Sequence, residues 1–249
     1  MNIPDSIGSL INLQILDLRH NQLTDLPDTI SNLINLQNLN LFHNNFMVVA
    51  NILEYLTNLQ ILDLGYNKLI KLPDTISNLT NLQKLNLSNN KLMDIPDSIE
   101  DLINLQILNL SFNKIMLIPD TISNLTNLQS FNLSNNCLIR IPETIGSLIN
   151  LQILYLSYNS LICIPESIGT LTNLQHLYLA NNKLIAVPES ILQIKNITHI
   201  DESTYQINNL DLECRILLFK KVSISLLNLP FNLKEIWFSK SSNIQNFYK

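Results

Sequence analysis

Apolar side chains recur along most of the chain in one fixed pattern. In the first complete unit they occupy Leu13, Leu16, Leu18, Leu23, Leu26, Ile30 and Leu33. The pattern returns every 23 residues, eight times in all, from residue 13 to residue 196. A fixed period of roughly 20 to 50 residues is typical of stacked repeat architectures. The chain is therefore predicted to be an array of similar units.

The first half of each unit predicts a short strand. Leu16 and Leu18 alternate with Ile15, Asp17 and Arg19, and such alternation indicates a strand with one buried face. An asparagine follows in every unit, where the chain turns, and its amide can donate and accept hydrogen bonds. We interpret this column as a structural ladder that satisfies backbone groups at the turn. It consists of Asn21, Asn44, Asn67, Asn90, Asn113, Asn136, Asn159 and Asn182.

The second half of each unit predicts a short helical turn. Pro27 suits the first helical position, where its missing N–H would have no partner anyway, and Ile30 and Leu33 share one face. An acid follows the proline and complements the helix dipole. These acids are Asp5, Asp28, Asp74, Asp97, Asp120, Glu143, Glu166 and Glu189. A calcium or acid–base column is the weaker alternative, because calcium needs about six to eight converging oxygens.

Stacking follows from the number of apolar positions. Each unit carries about seven aliphatic side chains, which one unit cannot cover by itself, so neighbours have to pack together. We predict an α/β solenoid with parallel strands on the concave face and short helical turns on the convex face. Residues 1–12 form a partial N-terminal repeat, 13–196 the eight repeats, and 197–249 a degenerate repeat and C-terminal cap. The alternative for the tail is a docking segment that uses Trp237 and Phe238.

The 23-residue unit, with Leu72-Pro73 followed three residues later by Ile76, resembles the Ras-group class of leucine-rich repeat proteins. This resemblance implies an intracellular scaffold or adaptor in signalling that binds a protein partner through its concave face. The second unit departs from the pattern, because residues 45–51 lack the proline and the acid. We expect the convex side to differ there.

Composition narrows the class of partner and the compartment. Charged residues make up 14% of the chain, against about 25% in an average globular protein. The net charge of −5 argues against nucleic acid as a partner, since that needs clustered Lys and Arg. No apolar run approaches the roughly 20 residues that span a bilayer, so no membrane insertion is expected. Scattered Cys137, Cys163 and Cys214 and the lack of a signal-like start predict a cytoplasmic location.

Candidate binding residues gather at both ends of the predicted concave face. The tyrosine patch comprises Tyr155, Tyr158, His176 and Tyr178; the N-terminal patch comprises Asp17, Arg19, His20, Phe42, His43, Asp63 and Tyr66. Aromatic residues with a polar group are enriched in binding hot spots, so both patches are hypothesised to contact protein. The alternative is that the rings only cover neighbouring strands. The middle of the face, rich in Asn and Ser, is interpreted as solvated.

Catalysis, cofactors and metals receive no support from the sequence. His20 and His43 lie one repeat apart without further ligands nearby. Asp17 and Asp63 are two repeats apart with Asn40 between them, at about 10 Å by strand spacing, and so are divided rather than convergent. We therefore predict a non-enzymatic scaffold without cofactor. The alternative is a substrate- or target-recognition subunit of an enzyme complex, such as a ubiquitin ligase or a phosphatase.

The N-terminal edge suggests a second kind of contact. Pro4 aligns with Pro27, so Met1 begins part-way through a unit and leaves the first strand thinly covered. An unpaired strand edge is a template for association. We hypothesise a truncated array or end-to-end self-association at this edge.

Overall fold

The chain winds into a solenoid whose strands form one continuous parallel sheet. A computed structural model describes residues 3–49, 53, 55–185, 187–196, 199–202 and 237–238. The strands follow one another in chain order, each paired only to its sequence neighbours in the sheet. The predicted leucine-rich solenoid, with strands on the concave face and short helical turns on the convex face, is confirmed.

Within the described residues, ten short strands make up this sheet. They are β1 Ile15–Asp17, β2 Asn38–Asn40, β3 Ile61–Asp63, β4 Lys84–Asn86, β5 Ile107–Asn109, β6 Ser130–Asn132, β7 Ile153–Tyr155, β8 His176–Tyr178, β9 His199–Glu202 and β10 Trp237–Phe238. From β1 to β8 the register advances by one full repeat, so Leu16 pairs with Leu39 and Asp17 with Asn40. Equivalent positions of all these repeats therefore stack in columns across the sheet.

Five-residue 3-10 helices line the convex side. Those in the described chain are Asp5–Ser9, Asp28–Asn32, Asp74–Asn78, Asp97–Asp101, Asp120–Asn124, Glu143–Ser147, Glu166–Thr170 and Glu189–Gln193. The prediction that proline occupies the first helical position was wrong by one residue. Pro27 has an extended ψ of 147° and lies just before the helix, which begins at Asp28. Its carbonyl accepts the N–H of Ile30 at 2.9 Å, so proline contributes the first helical acceptor instead.

One hydrophobic core runs the length of the array. In the third repeat the seven predicted positions, Leu59, Leu62, Leu64, Leu69, Leu72, Ile76 and Leu79, are all buried. The strand position that is leucine in most repeats is Phe131 in β6, and it is fully buried as well. Among the described residues, the elements of each layer contact those of the layers before and after it, which is the arrangement of a solenoid.

The buried asparagine column joins successive repeats. The Asn44 amide nitrogen donates to the carbonyl of Leu18 in the preceding repeat and to Leu41 in its own, at 2.9 and 3.1 Å. Its oxygen accepts the backbone N–H of Leu23, again in the preceding repeat, at 3.0 Å. The same three bonds recur at Asn67, Asn90, Asn113, Asn136, Asn159 and Asn182. Each asparagine thus satisfies backbone groups that the corner leaves unpaired.

A second asparagine ladder lies on the flank where each strand begins. The Asn104 amide donates to the carbonyl of Thr80, 24 residues earlier, at 2.8 Å, and the residue is exposed. Equivalent bonds are made by Asn35, Asn58, Asn81, Asn127, Asn150, Asn173 and Asn196. Sequence reasoning missed this column, although its 23-residue recurrence is visible in the sequence.

A left-handed backbone corner precedes each buried asparagine. The φ angles there lie between 53° and 58°, in a region that non-glycine residues seldom adopt. The residues are His20, His43, Tyr66, Asn89, Phe112, Asn135, Tyr158 and Asn181. In this conformation the backbone continues the hydrogen bonding between successive repeats, since the N–H of His20 donates to the carbonyl of Phe42 at 2.9 Å. The sequence did not predict this conformation, because only three of the eight residues are asparagine.

Several expectations fall wholly or partly outside the described residues. The departure of the second unit spans residues 45–51, of which the structure describes 45–49, so the altered convex turn stays a prediction. The assignment of the tail as a degenerate repeat and cap, or as a docking segment, lies outside the described residues except at 199–202 and 237–238. The backbone of β10 pairs in parallel with β9, with Trp237 opposite Asp201 and Phe238 opposite Glu202.

Candidate protein-binding surface

The N-terminal patch forms one cluster of rings across three repeats. The His20 ring lies 5.0 Å from that of His43 and 5.5 Å from that of Phe42, measured between centroids. Tyr66 continues the cluster, at 5.1 Å from Phe42 and 6.0 Å from His43. His20, His43 and Tyr66 all occupy the left-handed corner. The rings therefore contact one another and also leave surface for a partner, with Tyr66 49% exposed.

The charged members of the N-terminal patch are held locally. The Arg19 Nε lies 3.0 Å from the Asp17 carboxylate, and both side chains are exposed. Exposed ion pairs of this kind contribute little to stability. Asp63 accepts a hydrogen bond from the Asn86 amide at 3.0 Å. Asn40 lies between Asp17 and Asp63 in the register, so the two carboxylates belong to strands that are not neighbours.

A turn-forming role of the strand-end column was missed by sequence reasoning. In six successive repeats the last strand residue is Asp or Asn, and its side-chain oxygen accepts the backbone N–H two residues later. The acceptors are Asp17, Asn40, Asp63, Asn86, Asn109 and Asn132, with distances of 2.9 to 3.1 Å. Such bonds are the local turns that Asp and Asn favour. The run of Asp and Asn at this position in the sequence was the available signal.

Two residues of the tyrosine patch break this column. Tyr155 and Tyr178 occupy the same strand-end position in the seventh and eighth repeats. Their rings stack with centroids 4.6 Å apart and planes 8° from parallel. His176 lies beside them, with its ring 6.4 Å from that of Tyr178 and 15° from parallel. Tyr158 occupies the adjacent left-handed corner and is 57% exposed. The structure brings three of the four predicted residues into ring contact.

The interpretation of the middle of the face as solvated was wrong for two of its serines. Ser88 and Ser111 are each 6% exposed, whereas Ser134 is half-buried. Asn86 and Asn109 are partly buried and form the strand-end turns described above. Asn86 and Asn109 therefore serve the backbone, and the exposed aromatic residues of the two ends have Phe112, 53% exposed, between them.

Sequence comparison identifies the repeat. A family model described as leucine rich repeat matches residues 3–46 and 140–184. A two-copy model of the same repeat matches 57–102 and 80–127, and a single-copy model matches 127–148. The chain is a leucine-rich repeat protein. No curated protein sequence matches it.

Solved structures of other leucine-rich repeat proteins resemble this one. A leucine-rich repeat protein of Leptospira interrogans is 27% identical with a TM-score of 0.54, covering 95% of this chain and 75% of its own. The plant peptide hormone receptor RGFR1, solved in complex with RGF2, is 32% identical with a TM-score of 0.69, covering 82% of this chain and 38% of the receptor. Internalin C2 of Listeria monocytogenes, at 24% identity and a TM-score of 0.71, shares the fold.

The remaining chemistry of the leucine-rich repeat array is sparse. In the part of the chain that the structure describes, no group of three or more His, Cys, Asp or Glu side chains is placed to hold a metal ion. No helix among the described residues is long and apolar enough to cross a membrane. Cys137 and Cys163 are exposed free thiols. The plant neighbours include an ectodomain of a membrane receptor kinase, so the cytoplasmic location stays a prediction.

Proposed function

We propose that this leucine-rich repeat protein is a non-enzymatic scaffold that binds a protein partner through the C-terminal part of its concave face. The observation that carries the proposal is the replacement of the strand-end Asp or Asn by Tyr155 and Tyr178. Six repeats keep a side chain that closes the turn, and two successive repeats give it up for a pair of stacked rings. Departures from a local structural rule are expected at functional sites.

The energetic terms explain why this replacement points to binding. A phenol cannot take the place of the carboxylate or amide oxygen that accepts the turn N–H, and such a bond contributes about 0.5–1.5 kcal/mol. Stacking of two aromatic rings returns about the same amount. The replacement therefore brings little net stability, and what it adds is an apolar surface with two hydroxyl groups on the concave side.

The chemistry of the patch defines the kind of partner. Tyr155, Tyr158, Tyr178 and His176 offer flat apolar surface with hydrogen-bonding groups, which is typical of hot spots in protein interfaces. Acidic and basic side chains are scarce on this part of the face. We infer that the partner is held by aromatic and amide contacts rather than by ion pairs.

The N-terminal patch is proposed as a second contact on the same face. Its ring cluster of His20, Phe42, His43 and Tyr66 is continuous over three repeats. The ion pair of Asp17 and Arg19 lies at its outer end, and Asp63 is tied to Asn86. A partner that spans the arc would touch both patches and pass over the small polar residues between them.

The setting of this interaction is also a proposal. Membership in the Ras-group class, a role in signalling and a cytoplasmic location would agree with the exposed free thiols of Cys137 and Cys163. They would also agree with the Asn-x-Ser triplets at 86–88 and 132–134, because glycans on these strands would obstruct the concave face. Receptor ectodomains with the same fold make fractionation of the native protein the necessary check.

Proximity labelling tests the proposed function. The wild-type protein and a Tyr155→Asn/Tyr178→Asn variant are fused to the same labelling enzyme, and labelled proteins are compared. Restoring asparagine keeps the turn, so the variant should fold while losing at least ten-fold in recovery of the main partner. An Ile103→Ser/Ile149→Ser variant, on the flank where the strands begin, is the matched control and should lose none.

The outcomes separate the alternatives. Equal recovery by the wild type and the tyrosine variant would overturn the tyrosine patch as a binding site. Recovery of one dominant ligase or phosphatase subunit, lost in the tyrosine variant, would identify the protein as the recognition subunit of an enzyme complex and overturn the general scaffold.

A further inference from the structure

A continuous row of exposed apolar side chains runs along the flank where the strands end. One residue per repeat contributes to it, three positions after the asparagine of the buried ladder. The row consists of Met47, Ile70, Met93, Met116, Ile139, Ile162 and Ile185, which are 44% to 59% exposed. Neither the core nor the concave face uses these side chains. Apolar side chains aligned in this way over seven repeats are typical of an interaction surface.

Lysines form a parallel row beside the apolar one. Lys68 and Ile70 are exposed while Leu69 between them is buried, so the two exposed side chains share the outer side of the flank. Lys91, Lys114 and Lys183 repeat this relationship in their own units. Backbone bonds from Lys91 to Leu69 and from Lys114 to Leu92, both 2.8 Å, hold the rows in register. We refer to the lysine row and the apolar row together as the basic flank.

The basic flank is positively charged, whereas the chain as a whole is negatively charged. It carries Lys68, Lys91, Lys114 and Lys183 with the adjacent Lys71 and Arg140, and the acids among the same loop positions are Asp25 and Asp94. In the described residues none of the four row lysines has an ion-pair partner. An excess of four positive charges thus lies on one edge of a chain whose net charge is −5.

Acidic residues border the apolar row on its other side. Asp97, Asp120 and Glu143 begin the convex 3-10 helices. A groove of about 640 Å³ on this side is lined by Leu117, Arg140 and the acids Asp120 and Glu143 among others. Lysines therefore lie on the concave side of the apolar row, and carboxylates, with Arg140 among them, lie on its convex side. A uniformly anionic membrane surface matches only the lysine edge of this arrangement.

The spacing along the row suits an α-helix. Bonds from Ile70 to Met47 and from Ile162 to Ile139, both 3.3 Å, show that successive row residues belong to adjacent backbone segments. Neighbouring segments are about 4.8 Å apart, and an α-helix rises about 5.4 Å per turn, so each turn meets about one repeat. In an extended strand, residues on one face recur at about 6.7 Å and lose this register within three repeats.

We propose that the basic flank binds an amphipathic α-helix of a partner protein, with its apolar stripe on the methionine–isoleucine row. Acidic residues along one edge of that helix face Lys68, Lys91 and Lys114. Basic residues along its other edge face Asp120 and Glu143. This surface is separate from the tyrosine patch, so the proposal stands independently of the concave-face proposal.

A designed peptide tests this surface directly. The probe is a fluorescent 18-residue helix with a leucine stripe, one glutamate edge and one lysine edge, and a scrambled peptide of the same composition is its reference. Anisotropy titration should give at least ten-fold tighter binding of the helical peptide. Met93→Ser/Met116→Ser and Lys68→Gln/Lys91→Gln/Lys114→Gln should each weaken binding at least five-fold.

Matched variants control for hydrophobicity and net charge. Ile103→Ser/Ile149→Ser removes two side chains of similar exposure, 53% each, from elsewhere on the surface. Gln14→Glu/Gln129→Glu/Gln152→Glu lowers the net charge by three, as the lysine variant does, at exposed positions away from the flank. These controls and Tyr155→Asn/Tyr178→Asn should change the affinity less than two-fold.

Three results would overturn the proposal. One is binding of the helical peptide no tighter than that of the scrambled peptide. Another is equal weakening of peptide binding in the charge-matched control, which would show that the effect of the lysine variant reflects only net charge. The third is lysine-dependent binding to vesicles containing phosphatidylserine without binding of the peptide, which would make the flank a membrane-contact surface.

Discussion

The side-chain oxygen of Asn113 accepts the backbone N–H of Leu92, 21 residues earlier in the preceding repeat, at 3.0 Å. The Asn113 amide nitrogen donates to the carbonyl of Leu87 in that repeat and to Leu110 in its own. One buried side chain thus ties two layers of the solenoid together. Exposed Asn104, on the opposite flank, makes a single bond to the carbonyl of Thr80.

Replacing these two asparagines should have very different effects. Asn113→Ala leaves a buried N–H and two buried carbonyls without that partner, so the free energy of unfolding should fall by about 2 kcal/mol or more. Asn104→Ala loses one solvent-accessible bond and should cost about 0.5–1 kcal/mol. Urea denaturation of both variants measures the difference. Equal losses would show that burial of the ladder does not control its contribution.

The left-handed corner at Phe112 offers a stabilising substitution. Phe112 has a φ of 56° and is 53% exposed, whereas the corners before and after it are Asn89 and Asn135. Because asparagine tolerates this conformation better than a bulky residue does, Phe112→Asn should stabilise the fold by about 0.5–1 kcal/mol. Phe112→Val should destabilise it by about 1 kcal/mol or more, since β-branching worsens the strain. Thermal melts of the two variants should move in opposite directions.

Neighbouring positions in β5 distinguish the two faces of the sheet. Leu108 is fully buried, while Ile107 is 38% exposed. Leu108→Asp places a charge in the core and should destabilise the array by more than about 4 kcal/mol, with loss of cooperative unfolding. Ile107→Asp should cost less than about 1 kcal/mol. Calorimetry tests this, and a Leu108→Asp protein that melts like the wild type would refute the register of the strand.

The tyrosine patch predicts a separation of stability from binding. Tyr155→Asn loses stacking against Tyr178 and regains the strand-end turn, terms of about 0.5–1.5 kcal/mol each with opposite signs. The free energy of unfolding should therefore stay within about 1 kcal/mol of the wild type. Urea denaturation of the Tyr155→Asn variant checks this. A loss above 2 kcal/mol would show that the rings are needed for the fold.

The fold and the core could be predicted from the sequence because the same pattern of buried positions recurs in successive repeats. Leu16 and Leu62 occupy the same place in the pattern, and both are buried in the structure. The candidate site was predicted less completely. Tyr155 and Tyr178 were grouped from their columns, and their stacking geometry agrees with that grouping. The turn-forming role of Asp17 and Asp63 was missed, because these residues were assessed for charge and not for hydrogen bonds to their own turns.

The period, the alternation and the proline–acid pairs were sufficient to predict a solenoid of parallel strands and convex turns. These features are local. Each unit carries apolar side chains that it cannot cover by itself, and stacking of neighbouring units buries them. The left-handed corners, the two asparagine ladders and the basic flank depend on contacts between residues 21 to 26 positions apart. Such contacts exist only after successive repeats have packed, because each ladder bond needs a donor in one layer and an acceptor in the next. Stacking also aligns Lys68, Lys91 and Lys114 into one row, and so converts an acidic chain into one with a basic edge.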